Sequence, residues 1–250
     1  MMDNVYNKII DVRKKRGGVS FALVDPDMKN DLTLKDQLNV INDSDFDFLL
    51  IGGSLIIDNN YNKRIDLIKS ISEIPLILFP GSAYQLTKKV DAMLYISLLS
   101  GNNPQYLIGE HIQSAGIIYN MNIETIPTGY ILVDGGSYSS VAAISKTLPL
   151  PNNKFDIIAA HALAGQYLGM KLIYLEAGSG SSVSIDPELI SFLKTKLDIP
   201  IIIGGGIKEK KQVSKLVEYG AKLFVIGTAI ETKQNQKNLI EINQVIHGKS

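Results

Sequence analysis

Short apolar runs recur along the chain. They lie at Val19–Val24 (VSFALV), Phe46–Ile51 (FDFLLI), Pro75–Phe79 (PLILF), Ala92–Leu98 (AMLYISL), Thr128–Val133 (TGYILV), Leu172–Leu175 (LIYL), Ile199–Ile203 (IPIII) and Leu223–Ile226 (LFVI). They are apolar on both faces rather than alternating, which is the mark of parallel strands covered by helices. Amphipathic stretches separate most of them, among them Lys35–Asn42, Asn62–Ile71, Pro187–Leu197 and Lys210–Tyr219. Alternating strands and helices predict parallel pairing with right-handed crossovers. Eight such units predict an α/β fold closed as a (β/α)8 TIM-type barrel, with an open doubly wound sheet as the alternative.

One connection breaks the pattern. Phe79 and Ala92 are joined by PGSAYQLTKKVD, about a dozen residues, fewer than two loops and a packed helix usually need. The third helix, the one after strand three, is therefore expected to be missing or reduced to a turn, leaving a gap in the outer ring. After strand four, Gly101–Gly116 (GNNPQYLIGEHIQSAG) reads as a polar elbow running into a helix. No linker, low-complexity tract or charge block divides the 250 residues. Residues 1–250 are read as a single barrel domain, its core at about 19–230.

Composition narrows the class. Lys plus Arg and Asp plus Glu each number 25, so the basic excess of a nucleic-acid-binding protein is missing. There is no cysteine, which excludes disulfides and thiolate metal sites. The stretch MMDNVYNKIIDVRKKRGG has no apolar h-region, and the apolar runs are strand-sized. No signal peptide and no transmembrane segment are expected, and a cytoplasmic location is.

The candidate chemistry lies at the strand ends. In the last third, IYLEAGSG (Ile173–Gly180), IIIGGGI (Ile201–Ile207) and LFVIGTA (Leu223–Ala229) are spaced by roughly 25 residues, one strand plus one helix, as in barrels that build a phosphate site from their last strands. Gly178 and Gly180 suggest a nest of N–H groups, and Ser179, Ser181 and Ser182 add hydroxyls. Glu176 is a carboxylate that is costly to bury unless something uses it, and it is a candidate for binding substrate hydroxyls or acting as general base. Tyr174, two residues earlier, shares its face. The plainer reading is a glycine-rich turn with an exposed acid. Gly204–Gly206, Gly227 and Thr228 complete a phosphate cradle. No Walker-type Gly-Lys-Ser follows a strand and no GxGxxG opens a helix near the first strand, which disfavours nucleotide cofactors.

At the first strand's end, VDPDMKN places Asp25 where a barrel presents catalytic groups, and a carboxylate there suits Mg²⁺ bridging to substrate phosphates. Alternatively, Asp25 and Asp27 only cap the following turn. Next to it, IGGSLI offers Ser54 as a neutral oxygen ligand to the same ion. His111, His161 and His247 lack metal-ligand spacing, and His161 reads as a satisfied core or interface residue. Two competing classes stay open. One is a phosphosugar isomerase or aldolase, for which Lys171 is the available amine. The other is a non-catalytic phosphate-binding module.

Taken together, VDPD, GGS, FPGS, YLEAGSG, GGGI and the final GT, with GNNPQYLIGEH, resemble the geranylgeranylglyceryl phosphate synthase family and its bacterial heptaprenylglyceryl phosphate relatives, from about Val19 to Ile230. The resemblance implies a barrel without a normal third helix. It implies a prenyltransferase that moves a geranylgeranyl or similar long prenyl group from prenyl diphosphate to the 3-hydroxyl of sn-glycerol 1-phosphate, giving an ether-lipid precursor for phospholipid biosynthesis. It carries over Mg²⁺ at Asp25 and Ser54. It carries over glycerol phosphate binding at Tyr174, Leu175, Glu176, Ala177, Gly178, Ser179, Gly180, Gly205, Gly206, Gly227 and Thr228. Glu176 would orient the glycerol hydroxyls and accept the proton. A tail groove is expected near the missing helix, around Tyr84, Tyr95 and Tyr106. A homo-oligomer and peripheral membrane contact for the lipid product are also expected. Leu23, where some members carry Lys, and Thr228, where Asn is frequent, depart from the pattern and leave the chain length open.

Overall fold

The strands pair in sequence order, β1(Val19–Val24), β2(Phe48–Ile51), β3(Leu76–Leu78), β4(Ala92–Leu98), β5(Glu124–Leu132), β6(Leu172–Glu176), β7(Ile201–Gly204) and β8(Leu223–Ile226). β8 then returns to β1, with all pairs parallel, and closes the barrel. The computed structural model describes residues 4–56, 58–231 and 236–249. Residues 1–3, 57, 232–235 and 250, which the single-domain reading includes, lie outside them.

Three strands start two or more residues from where they are expected, and other strand limits shift by one residue. β2 starts at Phe48 because Asp47 is drawn beneath β1, where its carboxylate accepts the Ser20 N–H at 2.8 Å and meets Arg16 at 2.5 Å. β5 runs back past Pro127 to Glu124 because β4 pairs with it from Ala92 to Leu98. Pro127 needs no donor towards β6, and its carbonyl accepts the Lys171 N–H at 2.8 Å. β7 begins after Pro200, which contributes only its carbonyl, to the Ile173 N–H at 3.0 Å.

The helices are α1(Val5–Arg16), α2(Leu34–Asn42), α3(Tyr61–Ile71), α4(Glu110–Met121), α5(Ser140–Ser145), α6(Phe155–Tyr167), α7(Pro187–Lys194), α8(Lys210–Glu218), α9(Thr228–Glu231) and α10(Gln236–Ile246). Their ends follow local chemistry. Asp186 accepts the Glu188 N–H at 2.9 Å with Pro187 at the first helical position of α7, and Ser139 accepts the Ala142 N–H at 3.2 Å to start α5. Between β3 and β4 there is only a 3₁₀ turn, Ala83–Gln85, so the ring has the expected gap.

Two apolar layers form. Inside the barrel, Phe21 stacks on Phe48 at 5.4 Å, and Leu50, Ile77, Leu94 and Ile202 fill the space. α1 closes the bottom with Val5 and Ile9, its first N–H groups held by the Glu124 carboxylate at 2.6 and 3.1 Å. Between strands and helices, Leu38, Ile65, Leu189 and Val213 form the second layer. Each fully buried side chain of this size contributes roughly 2–3 kcal/mol, and Phe21→Ala would cost about 3–5 kcal/mol. α1 plugs the bottom, and the expected polar site residues gather at the C-terminal ends of the strands.

Candidate active site

On the β1–β2 side, the two aspartates of VDPD divide the work. Asp27 caps the turn Met28–Asn30, accepting the Lys29 N–H at 3.0 Å. Asp25 caps nothing with its side chain. Its Oδ2 meets Lys29 Nζ at 2.6 Å, and its Oδ1 is buried without a hydrogen-bond partner. Gly53 allows this placement, since a Cβ there would collide with Asp25 Oδ1. Asp25, Gly53 and Ser54 line one cavity.

Arg64 fixes the two loops that carry Asp25 and Ser54. It lies in the buried stripe Tyr61–Arg64–Ile65–Ile68 of α3 and reaches both loops. Its guanidinium donates to Asp31 at 2.5 and 2.9 Å, to Asp58 at 2.7 Å twice, and to the Pro26 carbonyl at 3.3 Å. Hydrogen bonding from Arg64 holds both carboxyls below their ordinary value. Sequence reasoning missed this residue. The signal was a charge on the apolar face of an amphipathic stretch.

On the opposite side, Glu176 ends β6 and is only 7% exposed, so it is not the exposed acid of a simple turn. Burial raises its carboxyl to about 7, against the Gly178 N–H, which donates to Oε1 at 2.7 Å, and the nearby Tyr174 hydroxyl, both of which lower it. Burial and the neighbouring Glu176 keep the Tyr174 and Tyr130 hydroxyls protonated. Gly205 (φ 80°) and Gly206 (φ 69°) turn the chain away at the end of β7 in a conformation side chains resist, and a Cβ on either would strike the Glu176 loop. Gly180 donates its N–H to Thr228 Oγ1 at 3.2 Å, tying the β6 loop to the end of β8.

Of the expected acceptor residues, Tyr174, Glu176, Ser179, Gly205, Gly206 and Thr228 line the cavity, with Gly227 beside Thr228. Leu175 and Ala177 instead point into the outer apolar layer. Gly178 is buried behind Glu176, and Gly180 stands at the rim.

The cavity holds about 600 Å³ and is mainly apolar. Its floor is an aromatic stack in which Tyr174 lies 5.3 Å from Phe79 and 5.1 Å from Tyr130. From the floor it runs outward. Leu94 and Ile96 face the barrel interior while Met93 and Tyr95 face the outer layer, yet all four line it. It therefore passes through the gap where a helix after β3 would lie. Tyr95 and Tyr106 are on this path. Tyr84 is 98% exposed and off it, because the 3₁₀ turn directs it to solvent. His111 is buried on α4 along the path, with Nδ1 unpartnered. His161 is satisfied as expected, through the Ile157 carbonyl at 2.8 Å, but on the half-exposed side of α6. Lys171 stands before β6 over the Tyr6 ring, 5.1 Å from its centroid, at the closed end of the barrel. That removes the amine on which an aldolase reading depends.

A divalent cation fits the β1–β2 side. An unpartnered buried carboxylate oxygen beside a serine is a hard, all-oxygen donor pair. Among the described residues no group of three or more His, Cys, Asp or Glu could hold a metal ion. The remaining ligands would come from substrate and water, as Mg²⁺ prefers.

Residues 10–246 match the PcrB family. The chain is 40% identical over 232 residues to a geranylgeranylglyceryl phosphate synthase of Chitinophaga pinensis, covering 92% of each sequence. It is 36% identical over 241 residues to one of Thermococcus gammatolerans, covering 94% of this chain and 95% of that one. Among solved structures, (S)-3-O-geranylgeranylglyceryl phosphate synthase from Thermoplasma acidophilum, in complex with its substrate sn-glycerol-1-phosphate, matches with a TM-score of 0.87 and 30% identity, covering 96% of this chain and 98% of that one. An archaeal fructose 1,6-bisphosphate aldolase, at 15% identity and TM-score 0.66, shares the fold alone.

Proposed function

The chain belongs to the PcrB family, and on that premise we propose that it is a prenyltransferase acting on sn-glycerol 1-phosphate and a long-chain prenyl diphosphate. The observation that carries this reading is one cavity with two polar ends and an apolar outlet. The β6–β8 end offers glycines, hydroxyls and a buried acid; the β1–β2 end offers Asp25 and Ser54; the outlet runs through the gap in the helical ring. A phosphate, a diphosphate and a hydrocarbon tail need these three environments.

In the reaction the allylic C–O bond of the donor breaks, and diphosphate leaves with the bonding electrons. The 3-hydroxyl oxygen of glycerol phosphate forms the new C–O bond. Its proton passes to Glu176, whose carboxyl near 7 is suited to accept it at neutral pH. The aromatic floor excludes water from the allylic carbon. Asp25 and Ser54 would hold Mg²⁺, which when bound supplies positive charge to the departing diphosphate.

Exposed apolar side chains support a reading of self-assembly and of membrane contact. Ile112 and Tyr119 on α4 are 71% and 85% exposed, an apolar face that a second copy would cover in a homo-oligomer, measurable by light scattering. Leu32, Leu55 and Tyr138, exposed on the loops after β1, β2 and β5, would contact a membrane surface during product release from a cytoplasmic enzyme, measurable by liposome flotation. Among the described residues no helix is long and apolar enough to cross a membrane.

The test of the activity is incubation of the purified protein with Mg²⁺, radiolabelled prenyl diphosphates of graded length, and sn-glycerol 1-phosphate or its enantiomer. Label in an acid-stable ether with the first acceptor is expected. No incorporation from any donor would overturn the reading.

A further inference from the structure

The cavity that must take two anions is itself acidic. Asp25, Asp27, Glu110, Glu176 and Glu231 line it, and among the described residues Lys29 is the only lysine or arginine that does. The backbone at Lys29 is held firmly. Asp27 Oδ1 accepts its N–H, and Asn30 Nδ2 donates to the Asp25 carbonyl at 2.8 Å. The side chain is not held in the same way. It is 62% exposed and makes an ion pair with Asp25 at 2.6 Å, and exposed pairs of this kind hold weakly. β1 lies between β8 and β2 in the barrel. Lys29 therefore stands between the glycine cradle and the Asp25–Ser54 end, with the Glu231 carboxylate acting on it from the β8 side.

We propose that Lys29 is the protein's own cationic ligand for the donor's diphosphate. Its ammonium occupies Asp25 in the free protein, transfers to the diphosphate oxygens when the donor enters, and stabilises the charge that builds there as the allylic C–O bond breaks. The acceptor phosphate is served by backbone groups, so Lys29 distinguishes the two anions. This rests on the prenyltransferase reading.

The test is calorimetric titration of inorganic diphosphate, and separately of sn-glycerol 1-phosphate, into wild type, Lys29→Met and Lys29→Arg with Mg²⁺ present. Thermal melts confirm that the variants fold. Lys29→Met is expected to weaken diphosphate binding about ten- to hundredfold while glycerol phosphate binding changes less than about twofold, and Lys29→Arg is expected to retain most of the affinity. Diphosphate binding within about twofold of wild type in Lys29→Met, or equal loss for both ligands, would overturn the proposal. A wild-type protein that transfers prenyl groups while Lys29→Met binds diphosphate normally refutes Lys29 alone. A wild-type protein that transfers none refutes the underlying reading.

Discussion

Glu176 is a carboxylic acid kept from water, and its titration near neutral pH pulls activity and stability in opposite directions. Burial raises its carboxyl from the ordinary 4.5 to about 7, so the folded state favours the protonated form. Its contribution to stability is complete below 4.5 and is lost as pH rises through 7. Glu176→Gln removes that loss. Relative to wild type it should be more stable above pH 7, by up to about 3 kcal/mol, and no more stable below pH 4.5. On the proposed mechanism, turnover needs the ionised form. Wild-type kcat should climb through about pH 7, and Glu176→Gln should lower it about a hundredfold or more with a flat profile. Parallel melts and pH–rate profiles check both halves, and unchanged turnover would remove Glu176 from the chemistry. Gly227 permits a cleaner separation of fold from function. A Cβ there would meet only the Leu23 side chain, at 3.5 Å, and its φ is not in the left-handed region. Gly227→Ala should melt like wild type while the KM for glycerol phosphate rises about tenfold, because the methyl takes the space of the ligand. An unchanged KM would mean the phosphate sits elsewhere.

At the scale of elements, the loops after β1 and β2 depend on one side chain of α3. Arg64→Met leaves Asp31 and Asp58 without their shared cation and should lower the Tm by about 5 °C. It should raise the KM for prenyl diphosphate and leave that for glycerol phosphate unchanged. Both carboxyls lie below their ordinary value in the folded protein. Their contribution is therefore present at neutral pH and is lost as pH falls through those lowered values. The Tm difference between wild type and Arg64→Met should shrink below about pH 4. A difference independent of pH would mean that Arg64 acts only through packing. The helix carrying Arg64 was legible in the sequence, because its apolar positions recur at helical spacing. The missing helix was legible too, because twelve residues of loop cannot hold one. What could not be read was register. Tyr130 faces Tyr174 across β5 and β6, and Phe79 completes the stack, but no local pattern states which residues of distant strands stand side by side. The split between Asp25 and Asp27 was likewise invisible, since both precede the same turn and only the backbone path decides which one caps it.

At the scale of the whole molecule, the gap after β3 turns a closed barrel into one with a side outlet. Met93 and Tyr95 face outward from β4 and would normally be covered by a helix. Here they line the same cavity as Leu94 and Ile96 on the inner face, with His111 and Ser114 of α4 forming the far wall. On the proposed path a tail leaves the aromatic floor towards α4, where Ser114 lines the cavity, and a long tail is expected to reach it. Ser114 is buried and its hydroxyl makes one bond, to the His111 carbonyl at 3.3 Å, so a larger side chain there would fill the outlet and leave both polar ends untouched. Ser114→Trp should reduce kcat/KM for geranylgeranyl diphosphate about tenfold or more, and for geranyl diphosphate less than about twofold, with glycerol phosphate binding unchanged. Measured side by side, an equal loss for both donors would mean that the tail takes another route. Loss confined to the longer donor would mean that the chain admits long substrates by omitting a helix rather than by enlarging the barrel.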